Sequence, residues 1–174
     1  FHNCFRYSDG VDSGDVYETK KITIKKNDYI EHVQEKAIEH ICDSAIRLIA
    51  NIRENKLKLS KQINHPFISF PSLNEKSGQL YPSRLDVNSA LNIVRSCSHP
   101  FPGAYVALSE HDIVVRIWRA EILSTELEKI KIDKGCLFFS DKYLLIGFFD
   151  GVLKLTDYEV KSEKKYKLPQ NINL

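Results

Sequence analysis

The chain has 174 residues, 43% hydrophobic and 28% charged, with a formal net charge of +2 at neutral pH. That length holds one ordinary domain or two small ones, enough for a real core, and a mean hydropathy of −0.31 suits a globular protein. No run approaches the ~20 apolar residues that cross a bilayer, and no secretory leader pattern opens the chain.

An isoelectric point near 8.3 is too mild for the concentrated basic face of a nucleic-acid binder. The four cysteines, Cys4, Cys42, Cys97 and Cys136, lie far apart with no Cys-x-x-Cys pair. That spacing excludes the usual zinc and thioredoxin motifs and reads as reduced, buried thiols of a cytoplasmic protein; no metal is indicated. The chain opens at Phe1 and contains no Met, so it reads as an excerpt of a longer polypeptide.

Phe1 to Tyr7 and Val16 to Ile24 are strand candidates, the second with Ile22 and Ile24 alternating with Lys21, Thr23 and Lys25. Between them runs Asp9-Gly10-Val11-Asp12-Ser13-Gly14-Asp15, with three carboxylates and two glycines. Glycine admits close backbone approach, and Asp and Ser bond nearby N–H groups, so this is a tight loop with acids at its tip. The EF-hand spacing of acids is absent. Two readings remain: a solvated turn, or a loop whose central Asp12 orients a catalytic group.

Asn27-Asp28 offers an N-cap for a helix from Tyr29 to about Asn55. Ile30, Val33, Ala37, Ile41, Ala45, Leu48 and Ile52 recur at steps of three and four, with Ile38, Ile46 and Ile49 beside them. His32 and His40 have no acid or Cys at ligand spacing and read as surface histidines. Lys56 to about Asp86, broken by Pro66, Pro71, Gly78 and Pro82, reads as a long connection in which 67–70 adds a short strand. Asp86 caps a short helix with Ala90, Leu91, Val94 and Cys97 inward, ended by Ser98-His99-Pro100.

Everything after that reads as β. Ala104 to Leu108, Ile113 to Leu123, Cys136 to Phe139, Tyr143 to Phe149 and Val152 to Val160 are short strand-like runs, and Asp150-Gly151 is a strong hairpin signal. Five short antiparallel strands suggest a small OB-like barrel, and Lys161 to Leu174 reads as a mobile tail. Pro100 to Tyr105 reads as a structural joint, Trp118 as core or interface, and Phe138, Phe139, Phe148 and Phe149 as exposed aromatics suited to a homodimer contact.

The order of these signals resembles the 10-formyltetrahydrofolate-dependent formyltransferases. Three blocks carry it: the loop Asp9 to Val16; Ile93-Val94-Arg95 through Pro100-Phe101-Pro102-Gly103-Ala104-Tyr105; and Gly135 with Asp150-Gly151-Val152-Leu153. Together with Ile117-Trp118-Arg119-Ala120 they look more like the sugar-nucleotide N-formyltransferases than methionyl-tRNA formyltransferase.

The resemblance implies an incomplete Rossmann-like α/β catalytic domain over residues 1–60. A linker and short helix follow over 61–99, then an OB-like barrel over 100–160 and a tail over 161–174. It implies formyl transfer from 10-formyltetrahydrofolate to the amine of a dTDP- or UDP-linked amino sugar. An Asn and a His from an upstream Asn-x-His motif would stabilise the oxyanion, with Asp12 orienting that His. Gly10, Val11 and Gly14 would border the cofactor. The Asn-x-His motif is absent here; His2-Asn3 has the wrong order and sits on the strand next to the loop. An aminoacyl-tRNA substrate, or a non-catalytic binding module bearing the barrel, are the alternatives. Arg116, Arg119, Lys129, Lys131 and Lys134 are interspersed with acids, which disfavours the nucleic acid.

Overall fold

The structure, a computed structural model, describes residues 1–62, 72–108, 113–123, 132–139, 143–162 and 171–173. The chain divides into two compact units, Phe1–Pro71 and Ser72–Leu174. The division falls inside the Pro-broken connection, and the short helix belongs to the second unit.

In the first unit β1 (His2–Phe5) and β2 (Val16–Lys20) form an antiparallel pair, with His2 opposite Lys20 and a register shift between Cys4 and Phe5. The second strand stops at Lys20 rather than Ile24. The ladder runs only as far as the His2–Lys20 pair, and Ile22 and Ile24 lie outside it among the described residues. No parallel pair occurs among the described residues of this unit, so the Rossmann-like sheet expected from the sequence is not seen here. Parallel pairing needs a crossover connection, whereas a short loop joins these two strands.

Helix α1 (Ile30–Arg53) follows, close to the expected span. Its N-cap is Tyr29, not Asn27-Asp28. Its amide donates to His32 Nδ1 at 3.0 Å, while the Asp28 carboxylate accepts from Lys25 N–H at 2.7 Å and from the Lys36 ammonium. Polar contacts fasten α1 to β2: Ser44 Oγ and the Arg47 guanidinium both donate to Glu18, and Asn51 Nδ2 donates to Tyr17 Oη at 2.9 Å. Only Gly14 and Ser44 are buried among the described residues of this unit. Ile38, Ile41, Ile46, Ile49 and Ile52 are each about half exposed or more, so the described residues of the unit leave a wide apolar stripe of α1 largely uncovered. The thiols are less buried than the sequence suggests: Cys42 is exposed, Cys4, Cys97 and Cys136 are half-buried, and all four are free.

The second unit holds the hydrophobic core. A 3-10 turn (Glu75–Gly78) and α2 (Val87–Cys97) precede six strands: β3 (Ala104–Leu108), β4 (Ile113–Ile122), β5 (Cys136–Phe139), β6 (Leu144–Gly147), β7 (Val152–Ser162) and β8 (Asn171–Asn173). The sheet order is β3-β4-β7-β6-β5-β8, every neighbouring pair antiparallel. No pairing joins the outer strands β3 and β8 among the described residues, so closure into the expected OB-like barrel is not seen. Part of the segment read as a mobile tail instead extends β7 and supplies β8, while the 67–70 strand lies outside the described residues.

One face of β3, β4 and β7 packs under α2: Val106, Val115, Ile117 and Leu153 are buried with Val87, Ala90 and Val94 of the helix. The alternation of β4, with Ile113, Val115 and Ile117 buried and Val114, Arg116 and Trp118 half-buried, is the period-two pattern of a half-covered sheet. Of the four phenylalanines expected at the surface, Phe148 is buried, Phe138 and Phe139 are half-buried and only Phe149 is exposed. β6 is buried along its whole length, and Phe148, which continues from it, is taken into the same core.

Two acids fix the start of α2. The Asp86 side chain accepts from Ser89 N–H at 2.8 Å, and Asp150 Oδ1 accepts from Val87 N–H at 2.9 Å. Both sit where a helix exposes unpaired amides and partial positive charge. The Ser89 hydroxyl and amide hold the Asp86 carboxyl below its ordinary pKa.

Candidate functional site

The acidic loop closes β1 onto β2. Arg6 N–H donates to Asp15 O at 2.9 Å, and the Arg6 guanidinium pairs with the Asp15 carboxylate at 3.0 Å. Gly14 is buried just beyond the paired strands, against the main chain of Arg6: a β-carbon there would lie 1.6 Å from Arg6 O. Gly14 therefore has a packing role in this bend. Gly10 is unencumbered by backbone, since its β-carbon would meet only the Ser13 side chain. Ser8 and Ser13 hydroxyls share a hydrogen bond of 2.8 Å across the loop.

Asp12 takes a left-handed conformation with φ of +50°, a strained choice for a residue other than glycine. Gln62 holds it there: its Nε2 donates to both Asp12 O and Gly14 O at 2.7 Å. The adjacent strand-like bridge between Val16 and Ser60, with amide bonds of 2.7 and 2.9 Å, brings Gln62 into reach. Asp12 is exposed, and its carboxylate has no hydrogen-bond or ion-pair partner among the described residues. Val11 beside it is 94% exposed, an apolar side chain at a loop tip with nothing from the unit to cover it. The loop thus presents an unpaired acid and a bare apolar residue on a backbone pinned from behind. Asp9 is exposed, and Asp15 is engaged by Arg6.

Gln62 was not legible as part of this site, because it lies 50 residues from Asp12 and carries no motif. The neighbouring Glu18 was likewise missed. The Ser44 hydroxyl, then the Arg47 guanidinium, hold its carboxyl below the ordinary glutamate range. His2 lines a cleft of about 290 Å³ between β1 and α1, and its Nδ1 is buried without a hydrogen-bond partner among the described residues. Asn3 next to it is exposed.

In the second unit the Pro100–Tyr105 segment is a joint, as its sequence suggests. Gly103, at φ of +89°, donates its amide to Cys97 O at 2.9 Å, and Trp118 Nε1 donates to Phe101 O at 3.2 Å. Trp118 lies at a register irregularity between β4 and β7 and stacks face to face on His99, with ring centroids 5.2 Å apart. Asp157 Oδ2 lies 3.7 Å from His99 Nε2.

No family model matches the sequence. Solved structures do. HypX from Aquifex aeolicus, as a multiply substituted variant, superposes with a TM-score of 0.70 at 19% identity, over 94% of this chain and 27% of that one. The N-formyltransferase from Helicobacter canadensis in complex with folinic acid and dTDP-3-aminofucose gives 0.62 at 14% identity, over 90% of this chain and 55% of that one. Methionyl-tRNA formyltransferase from Clostridium thermocellum gives 0.60 at 14% identity, over 92% and 55%. The chain spans between about a quarter and just over half the length of these structures. At such identities the likeness is one of fold: the chain shares its fold with part of each of these proteins, formyltransferases among them.

Proposed function

We propose that the chain is part of an N-formyltransferase that moves a formyl group from 10-formyltetrahydrofolate to the amine of a nucleotide-linked amino sugar. The observation that carries the reading is the unpaired Asp12 carboxylate on its braced, glycine-bearing loop. The fold likeness to an enzyme solved with folinic acid and dTDP-3-aminofucose supports it. So does the length of the matched structures, which leaves room for an Asn and a His outside these residues. The exposed isoleucines of α1 fit the same reading, as a face against which the remainder of a catalytic α/β domain would pack.

Open surface at two of the three expected positions supports a folate beside the loop. Gly10 leaves the backbone open to close approach, and Val11 offers an uncovered apolar surface. Gly14 is occupied by the Arg6 crossing and contributes by permitting the bend. When bound, the cofactor supplies the formyl carbon in activated form.

Asp12 would accept a hydrogen bond from an imidazole N–H, fixing its tautomer and orientation and favouring its charged form. It would also be placed to receive the proton that the amine sheds. Gln62 would act as a positioning residue, holding the loop backbone so that Asp12 need not be ordered at the moment of reaction. The C. thermocellum structure keeps an aminoacyl-tRNA substrate as the alternative, since its fold likeness is comparable.

The test is formyl transfer by the longer polypeptide with 10-formyltetrahydrofolate, offered a dTDP- or UDP-amino sugar in one arm and methionyl-tRNA in the other. Transfer to the sugar is expected, falling roughly a thousandfold in Asp12→Asn with the fold intact. Transfer to the tRNA alone, or full activity of the variant, overturns the reading.

A further inference from the structure

The second unit contains a cavity of about 320 Å³ that the formyl-transfer reading does not use. Its walls include Leu73, Gly78 of the 3-10 turn, Cys97 at the end of α2, Phe101 and Pro102 of the joint, and Arg116 of β4. This lower bound of ligand-site size suits a body of one or two rings, and the walls are largely apolar.

Asn74, Ser77 and Ser96 add neutral polar groups to the lining, Arg116 brings its charge, and Arg116 is held in place by neutral groups. Its Nη1 donates to Pro102 O at 3.3 Å, and its guanidinium carbon lies 5.8 Å from the centre of the Tyr105 ring. Tyr105 is held in turn, its hydroxyl donating to Gln79 Oε1 at 3.2 Å, an oxygen that also accepts from Tyr81 at 2.7 Å. The acid opposite Arg116 on β7 is Glu159, which pairs with Lys161 at 3.3 Å. No carboxylate pairs with Arg116 among the described residues. A permanent cation, oriented by a carbonyl and a ring and lacking a counter-charge, thus borders an apolar hollow. A guanidinium with free N–H groups binds carboxylates through strong, charge-assisted bonds.

We infer that this cavity binds a small organic acid, with an aromatic body between Phe101 and the glycine wall and a carboxylate on Arg116. The inference rests on the second unit alone and stands or falls independently of Asp12.

The experiment titrates 1-naphthoate into the 174-residue chain, followed by amide ¹H–¹⁵N shifts, with 1-naphthylmethanol as the uncharged counterpart. Saturable shifts centred on Ser77, Gly78, Cys97 and Gly103 are expected, with the alcohol binding about tenfold more weakly or worse. Arg116→Gln should bring naphthoate down to the alcohol's affinity. Arg95→Gln, which removes the same charge from α2 outside the cavity walls, should leave it unchanged. Ser77→Trp, at the exposed rim, should block both compounds. Absence of saturable shifts, equal affinity for acid and alcohol in the unaltered chain, or equal losses in the two arginine variants would each overturn the inference.

Discussion

Gly14→Ala is the sharpest test of how the acidic loop is built. The added methyl would sit 1.6 Å from Arg6 O and 2.7 Å from Arg6 C, both main-chain atoms. A carbon–oxygen contact settles near 3.3 Å, so the strands must part by about 1.7 Å at this point. That separation breaks the Arg6 N–H···O Asp15 bond of 2.9 Å and pulls the Arg6–Asp15 ion pair apart with it. One backbone bond and the end of the ladder together are worth about 2 kcal/mol, with little from the exposed ion pair. The loss falls on a unit with only Ser44 as a buried side chain among its described residues, so it should appear locally. Amide hydrogen exchange is the assay: Arg6 should exchange some thirtyfold faster in the variant, by the usual conversion of about 1.4 kcal/mol per factor of ten, while Val16, whose amide donates to Ser60 O, should change less. Gly10→Ala is the control, because the Ser13 hydroxyl in its way can rotate aside. Equal protection in Gly14→Ala and the unaltered chain would show that the crossing of the two strands is looser than described.

Glu18→Gln should weaken the attachment of α1 to β2 by about 1 kcal/mol at pH 7, the net value of a partly exposed charged hydrogen-bond set. Because the native carboxyl sits below its ordinary pKa, its contribution is complete above that ordinary value and disappears as pH falls through the native one. Urea unfolding should therefore show a gap between variant and parent at pH 7 that closes at strongly acid pH, and a gap constant with pH would refute the assignment. Asp150→Ala should leave the Val87 amide unsatisfied and cost the second unit about 1 kcal/mol, comparable to a lost helix cap. Thermal unfolding should show a drop of several degrees, and an unchanged midpoint would mean water replaces the carboxylate without loss.

Elements whose apolar spacing is long and regular were legible in the sequence. The span of α1 was found to within two residues at either end, and Ala104–Leu108 and Cys136–Phe139 match the expected strands. Asp86 was recognised as a cap because its acceptor role is satisfied within three residues. What escaped depends on distant partners. Tyr29 replaces Asn27-Asp28 at the start of α1 because His32 takes up its amide while Asp28 is drawn to Lys25 and Lys36. β8 is three residues, an isoleucine between two asparagines, too short to show a pattern without its neighbour β5. At the loop, the glycine-and-acid pattern identified the bend, but nothing local separated Gly10, which stays open, from Gly14, which is filled by Arg6. Gln62 and Glu18 act through partners tens of residues away and have no pattern to find.

The Asp150-Gly151 turn has a bearing on the order of folding events. Its carboxylate receives an amide 63 positions earlier, and a β-carbon on Gly151 would come within 3.1 Å of Val87 Cγ1. The first turn of α2 thus waits for a hairpin near the far end of the unit, and that long closure carries an entropic cost which local helix formation cannot offset. Nucleation of this helix and seating of the last hairpin become one late, shared step, so substitutions at either end should slow refolding in parallel.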